Sequence, residues 1–210
     1  MAVEIDLWTC LLPALAYALG SIPCGLLVAW VLGGPDLRRT GSGNIGATNV
    51  RRALGNRAGM ITLAGDVLKG ALPVWLARSM MGPTPGSLGQ TYLAAVGLAA
   101  FMGHLYPLYL GGRGGGKGVA TAGGVAAALA PAALAAALLV FVMVACWANR
   151  ASLASLAAAG FLPLGIWLAS RSAGFTIGAA IMSALIAWRH RDNFRRLLRG
   201  TEPPIWRSPR

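Results

Sequence analysis

Charge is scarce in this chain of 210 residues: only 11% are Asp, Glu, Lys or Arg, and the acids number six. Globular domains carry about a quarter charged residues. A compact water-facing surface therefore has too little to be made from, and a soluble single domain is excluded. Histidine is limited to His104 and His190, which rules out a multi-histidine metal centre. The three cysteines, Cys10, Cys24 and Cys146, lie in apolar stretches without CxxC spacing, so neither a disulfide framework nor a zinc site is indicated. The chain opens Met-Ala-Val-Glu-Ile-Asp and lacks the positive start of a cleavable leader. Its first apolar run is expected to stay as a membrane span.

What is abundant is apolar sequence: 56% of residues are hydrophobic and the mean hydropathy is +0.63. The reading is an all-α, polytopic membrane protein forming one domain over residues 1–210. Seven candidate spans fall at roughly 7–33, 58–80, 90–110, 117–130, 132–147, 152–169 and 173–188. The first is long enough to break, and Gly20-Ser21-Ile22-Pro23 is the expected place. Pro131 separates the fourth and fifth, which are two short spans or one kinked segment. The tail is expected to continue the last helix to about Leu198 and to break at Gly200.

Sixteen of the 18 basic residues are arginine, and their placement orients the chain. With the N-terminus outside, the inner segments collect Arg38, Arg39, Arg51, Arg52, Arg57, Arg113, Lys117 and Arg150. The tail adds Arg189, Arg191, Arg195, Arg196, Arg199, Arg207 and Arg210. The outer connections hold only Arg78 and Arg171, and Lys69 lies within a span. This asymmetry fits the positive-inside rule and predicts a cytoplasmic C-terminus. Nucleic acid is a poor partner for arginines split among short loops; anionic headgroups and phosphorylated substrates suit them better.

Polar residues gather on that same face. The first inner loop reads Gly41-Ser42-Gly43-Asn44-Ile45-Gly46-Ala47-Thr48-Asn49-Val50-Arg51-Arg52. Glycines let backbone N–H groups approach an anion, and arginine supplies charge and paired donors. Gly41-x-Gly43-x-x-Gly46 matches a dinucleotide fingerprint formally, but no strand precedes it. Asp66 and Lys69, three apart within the second apolar run, either neutralise each other or aim Lys69 at a substrate anion. His104 precedes Gly111-Gly112-Arg113-Gly114-Gly115-Gly116-Lys117-Gly118. That segment resembles a Walker A loop but has glycine where the magnesium-binding Ser or Thr would stand. A glycine turn with two cations opening a helix still makes an anion nest. Asn149–Ser155 and His190–Phe194 lie at the same level.

These blocks carry a resemblance. Gly-Ser-Gly-Asn-Ile-Gly-Ala-Thr-Asn (41–49), Gly-Asp-x-x-Lys-Gly (65–70), Gly-His-x-Tyr-Pro (103–107), Gly-Gly-Lys-Gly-Val-Ala-Thr (115–121), His-Arg-x-Asn (190–193) and Gly-Thr-Glu (200–202) occur in order over nearly the whole chain. Together they resemble the bacterial acyl-phosphate:glycerol-3-phosphate acyltransferases. The resemblance implies a seven-helix enzyme of the bacterial inner membrane with its site facing the cytoplasm. Such an enzyme moves a fatty acyl group from acyl phosphate to the sn-1 hydroxyl of glycerol 3-phosphate, yielding lysophosphatidate and phosphate without acyl-CoA. It also implies catalytic roles for Ser42, Arg52, His104, Lys117 and Asn193. Gly43, Asn44, Asn49, Lys69, Arg113, Gly114, Gly115 and Gly116 are the expected phosphate-binding positions. The loop departs from the family's Phe-Lys-Gly-Gly-Lys-Gly: Lys117 matches the second lysine, while Arg113 replaces the first with one extra glycine between.

The residues fit such chemistry. Two phosphate substrates bring about four negative charges, which Arg52, Lys69, Arg113 and Lys117 are suited to balance. Acyl phosphate is an activated mixed anhydride, so direct attack by the hydroxyl is expected. The departing phosphate or His104 takes the proton, with no metal, no cofactor and no partner beyond the bilayer, from a monomer. The rival from another class is a transporter of a phosphorylated solute, which would also want intramembrane charges and broken helices. Polarity confined to one face argues against it.

Overall fold

The computed structural model describes residues 7–81 and 85–206, the Trp8 side chain excepted. The acidic start and the tail residues Arg207 and Arg210 lie outside the described residues. The described chain contains ten α-helices: α1 Leu7–Gly20, α2 Cys24–Val31, α3 Ala47–Leu54, α4 Asn56–Ser79, α5 Ser87–Leu105, α6 Val119–Leu129, α7 Pro131–Ala148, α8 Ala151–Ser170, α9 Ala173–Arg189 and α10 Arg191–Leu198. A 3-10 turn, Leu108–Leu110, follows α5, and no strand occurs among the described residues. α4, α5, α7 and α8 are long and apolar enough to cross a membrane, and the bent α1–α2 pair makes a fifth candidate. α6 and α9 are apolar but shorter.

The break expected at Gly20–Pro23 is present, with α2 turned 43° from α1. Pro23 offers no backbone N–H, and Ser21 Oγ donates to the Tyr17 carbonyl at 2.7 Å. Lys69 Nζ fills the gap by donating to the Ile22 carbonyl at 2.8 Å. α6 and α7 are separate helices: Ala130 is extended at φ −153°, and Pro131 opens α7 at a position where a missing N–H costs nothing.

Two expectations are corrected. Residues 47–54 of the first loop form α3, because Val50 is buried beneath it and its other face remains polar. The last helix does not run on to Leu198; it stops at Arg189. His190 Nδ1 bonds the Ile186 carbonyl at 2.8 Å, and α10 sets off anew from Arg191. α10 ends at Leu198, and Gly200, at φ +69°, turns the chain two residues beyond.

Glycine brings the spanning helices close. A Cβ on Gly103 would overlap the Tyr17 carbonyl of α1, and one on Gly70 would overlap the Thr121 carbonyl of α6. Without a hydrophobic force between helices in lipid, such close backbone packing holds them together. α5 lies at the centre, packed on α1, α4, α6 and α9, with Phe101, Leu93 and Val96 fully buried. α7 packs chiefly on α8 and exposes Leu138, Val142, Met143 and Trp147.

Helix α6 matches only part of α4. Thr121 packs on Gly70, and Arg78 near the end of α4 donates to the Ala128 carbonyl at 2.9 Å. Eleven residues give about 16 Å of helix. The glycine loop before it packs back on the end of α5, where Gly116 N–H donates to the His104 carbonyl.

Candidate active site

Between α4 and α6 on one side and α7 and α8 on the other lies a cavity of about 500 Å³. One end is polar, with Arg52, Asp66, His104, Lys117, His190 and Asn193. The other is apolar, with Leu63 of α4, Leu134, Leu138 and Phe141 of α7, and Leu162 of α8. Leu63 and Leu138 also face outward, 47% and 53% exposed, so the apolar end opens between α4 and α7. A second, polar hollow of about 300 Å³ adjoins it, lined by Gly43, Gly114, Gly115, Arg189, Arg191 and Arg196 among others. Ser42, Asn44, Lys117 and Asn193 border both.

The first loop is tied by one side chain. Asn49 Oδ1 accepts the Ser42 N–H at 3.0 Å, while its Nδ2 donates to the carbonyls of Thr40 at 2.9 Å and Leu37 at 3.3 Å. Asn49 is thus committed to holding the loop rather than free to bind an anion. α3 carries Arg52 over the cavity mouth, where its guanidinium also donates to the Pro203 carbonyl at 3.4 Å.

The glycine loop is held from two sides. Gly116 N–H donates to the His104 carbonyl at 3.1 Å, and Arg189 donates to the carbonyls of Gly116 at 3.1 Å and of Gly115. A Cβ on Gly116 would overlap the His104 imidazole, so only glycine permits this approach. Gly118, at φ +85°, then turns the chain into α6. The first amides of α6 have no helical acceptors, and Gly118, Val119 and Ala120 line the cavity.

A polar chain crosses the junction of the two hollows. Lys117 Nζ donates to Asn193 Oδ1; Asn193 Nδ2 donates to Glu202 Oε1 at 2.6 Å; Arg196 Nε donates to Glu202 Oε2 at 2.8 Å. Burial raises the Glu202 carboxyl, but donors from Asn193, Ser152 and Arg196 more than offset this and leave it below the usual carboxylate range. Lys117, in the loop outside the spanning helices, is lowered to about 8, chiefly by burial, with Arg196 and Arg52 adding repulsion against the attraction of Glu202.

His190 is lowered to about 4 by burial and by Lys117. Its Nδ1 must be the protonated nitrogen, since the Ile186 carbonyl can only accept, so Nε2 carries a lone pair. His104 is packed more tightly. It is 4% exposed, with Nδ1 3.6 Å from Asp66 Oδ1 and its Nε2 edge against Gly116. Asp66 in turn pairs with Lys69 at 2.9 Å.

All five residues expected to be catalytic (Ser42, Arg52, His104, Lys117, Asn193) line the cavity, and Gly43, Asn44, Gly114 and Gly115 border one hollow or both. Three others are placed elsewhere. Lys69 is spent on Asp66 and Ile22, Gly116 backs onto His104, and Arg113 is exposed and lines neither hollow. Arg113 stands among left-handed turns at Gly111, Gly112 and Gly114. Glu202, His190, Arg189, Arg196 and Ser152 were missed as site residues. Only the Gly-Thr-Glu motif marked Glu202, and its role depends on the tail folding back. That return is fixed by Asn149, whose Oδ1 accepts the N–H groups of Ile205 at 3.0 Å and Trp206 at 2.9 Å.

No cluster of three or more metal-ligating side chains occurs among the described residues. Nor is the Ser42 hydroxyl hydrogen-bonded to a histidine among them, so no activated serine is assembled. The arrangement can grip phosphate groups at the head of an apolar slot.

A family model described as glycerol-3-phosphate acyltransferase matches residues 10–200. The glycerol-3-phosphate acyltransferase of Geotalea daltonii is 48% identical over 187 residues, covering 89% of this chain and 92% of that protein. That of Geobacter sulfurreducens is 45% identical over 192 residues, covering 91% and 95%. Among solved structures, the crystal structure of PlsY, an integral membrane glycerol 3-phosphate acyltransferase in its glycerol 3-phosphate form, is similar with TM-score 0.86 at 40% identity. It covers 93% of this chain and 94% of that one. The lysophosphatidic acid form gives 0.84 at 39% identity with the same coverage.

Proposed function

This chain belongs to the glycerol-3-phosphate acyltransferase family, and from that premise we propose that it transfers a fatty acyl group from acyl phosphate to the sn-1 hydroxyl of glycerol 3-phosphate. The observation that carries this reading is the junction of two hollows. A cationic basin meets a slot whose far end is apolar and open to lipid between α4 and α7. A water-soluble phosphate fits the first and a fatty tail the second, and Lys117 borders both.

The step is a direct displacement. The sn-1 oxygen bonds to the acyl carbon, the bond from that carbon to the phosphate oxygen breaks, and phosphate departs with the hydroxyl proton. Arg52, Lys117 and the first amides of α6 neutralise charge that grows on the leaving phosphate and the carbonyl oxygen. The proton goes to phosphate because the departing group gains a negative charge as the acyl–oxygen bond breaks, and is then a far stronger base than His190, lowered to about 4. His190 Nε2 instead accepts the hydroxyl's hydrogen bond and orients it. His104 supports the glycine loop, and Asn193 and Glu202 hold Lys117 in place.

The seven apolar segments are seven crossings in the bacterial inner membrane, with the N-terminus outside and the site toward the cytoplasm. The 15 basic residues assigned inside against two outside support that orientation. Accessibility of cysteines placed at 42, 104, 117 and 193 checks it, since labelling from opposite faces overturns the arrangement.

Purified protein given labelled glycerol 3-phosphate and palmitoyl phosphate, with chelator and no gradient, should form labelled lysophosphatidate. Absence of that product, with uptake of glycerol 3-phosphate into proteoliposomes, would establish the transporter instead. The pH profile follows from Lys117. Below about 8 its ammonium is charged and binds phosphate, and above that it is lost from the free enzyme. kcat/KM for glycerol 3-phosphate should therefore fall above pH 8, while kcat falls less because bound phosphate keeps the proton on. Lys117→Arg should move the alkaline limb upward, and an unmoved limb would assign it to another group.

A further inference from the structure

Gly123 and Gly124 are neighbours on α6 with opposite surroundings. A Cβ on Gly124 would overlap the Val67 carbonyl of α4, so close helix packing demands glycine there. A Cβ on Gly123 would meet only Leu134 Cδ1, at 3.8 Å, an ordinary contact. Glycine inside a helix lowers its stability relative to alanine, and helix packing does not require this one. What the missing side chain leaves is space. Gly123 borders the cavity opposite Leu134 and Leu138 of α7 and Ala159 and Leu162 of α8. It is the last α6 residue to do so, about 7.5 Å along the helix from Gly118 at the polar end.

We propose that Gly123 sets which acyl chains are accepted: its absent side chain keeps open the deep apolar part of the slot, through which the distal carbons of a long donor pass. The assignment rests on the acyl-phosphate reading above. The reacting carbonyl lies at the Lys117 end, so bulk at position 123 acts on carbons remote from the chemistry. Carbons that short donors lack are the ones affected. In a tight apolar pocket, a misfit of one methylene already changes kcat/KM by about 10-fold or more.

Gly123→Ala, Gly123→Leu and Gly123→Phe are to be assayed with palmitoyl phosphate and octanoyl phosphate against saturating glycerol 3-phosphate. The palmitoyl-to-octanoyl ratio of kcat/KM should fall by about 10-fold or more in Gly123→Phe, less in Gly123→Leu and least in Gly123→Ala. An unchanged ratio, whether both donors decline together or neither does, overturns the assignment. Should Gly123→Phe fail to give a cooperative thermal transition, the Gly123→Leu ratio decides alone. Wild-type protein that makes lysophosphatidate from neither donor refutes the acyl-phosphate reading itself, a result separate from any change among the variants.

Discussion

Replacing Arg52 by alanine should lower the rate of lysophosphatidate formation by about 10²–10³-fold, the loss seen when one preorganised donor to a developing anion is removed. Arg52 projects from α3 over the cavity mouth, and its hydrogen bond within the protein is a long one to the Pro203 carbonyl at 3.4 Å. The residue is exposed, so its removal should leave thermal stability close to that of wild type. The deficit is therefore chemical rather than a folding loss. Arg52→Lys restores charge but not the paired donors of a guanidinium, and should recover only part of the rate. Wild-type turnover in Arg52→Ala would remove this residue from the site and with it the role proposed for α3.

The second large effect is on stability. Lys69→Met leaves the Asp66 carboxylate buried without its cation, and breaking such a pair costs about 3–5 kcal/mol. It also strips the Ile22 carbonyl of a donor at the α1–α2 break. Asp66 and Lys69 are 2% and 6% exposed, so water does not compensate. Adding Asp66→Asn should restore part of the loss, and unfolding of the two single variants and the double variant in micelles measures it. By sequence alone, Lys69 could equally face a substrate phosphate. If Lys69→Met folds as well as wild type yet raises KM for glycerol 3-phosphate, that reading returns and the structural one falls.

Much of the fold was legible because lipid imposes a strict rule. Apolar runs must be helical for want of water to satisfy the backbone, and each predicted run coincides with a helix or a broken pair. The break at Gly20–Pro23 was readable from residues that weaken a helix locally. α3 was not. Its eight residues are too polar for hydropathy to mark and too short to be helical without burial of Val50. The stop at His190 was equally hidden, since it turns on a side-chain bond to Ile186 rather than on a helix-breaking residue.

The site divides the same way. Glycine loops, arginines and the motif order pointed to phosphate chemistry at Ser42, Arg52, Lys117 and Asn193, because charge and backbone access are properties of residue type. Which cations are free to use that charge is a matter of neighbours. Lys69 is consumed by Asp66, Arg113 is turned outward, and Arg189 and Arg196 are gathered in from helices distant along the chain. Glu202, which sits nine residues beyond Asn193, bonds it only because Asn149 draws the tail back.

Composition and the placement of apolar runs alone determined that this chain makes helices for lipid, and its glycines and cations that phosphate suits it, since solvent preference and charge are written residue by residue. Tertiary packing alone decided which of those groups share a cavity and how deep the slot beside them runs. Distances across a bundle depend on how closely glycines let its helices approach, and no local pattern encodes that.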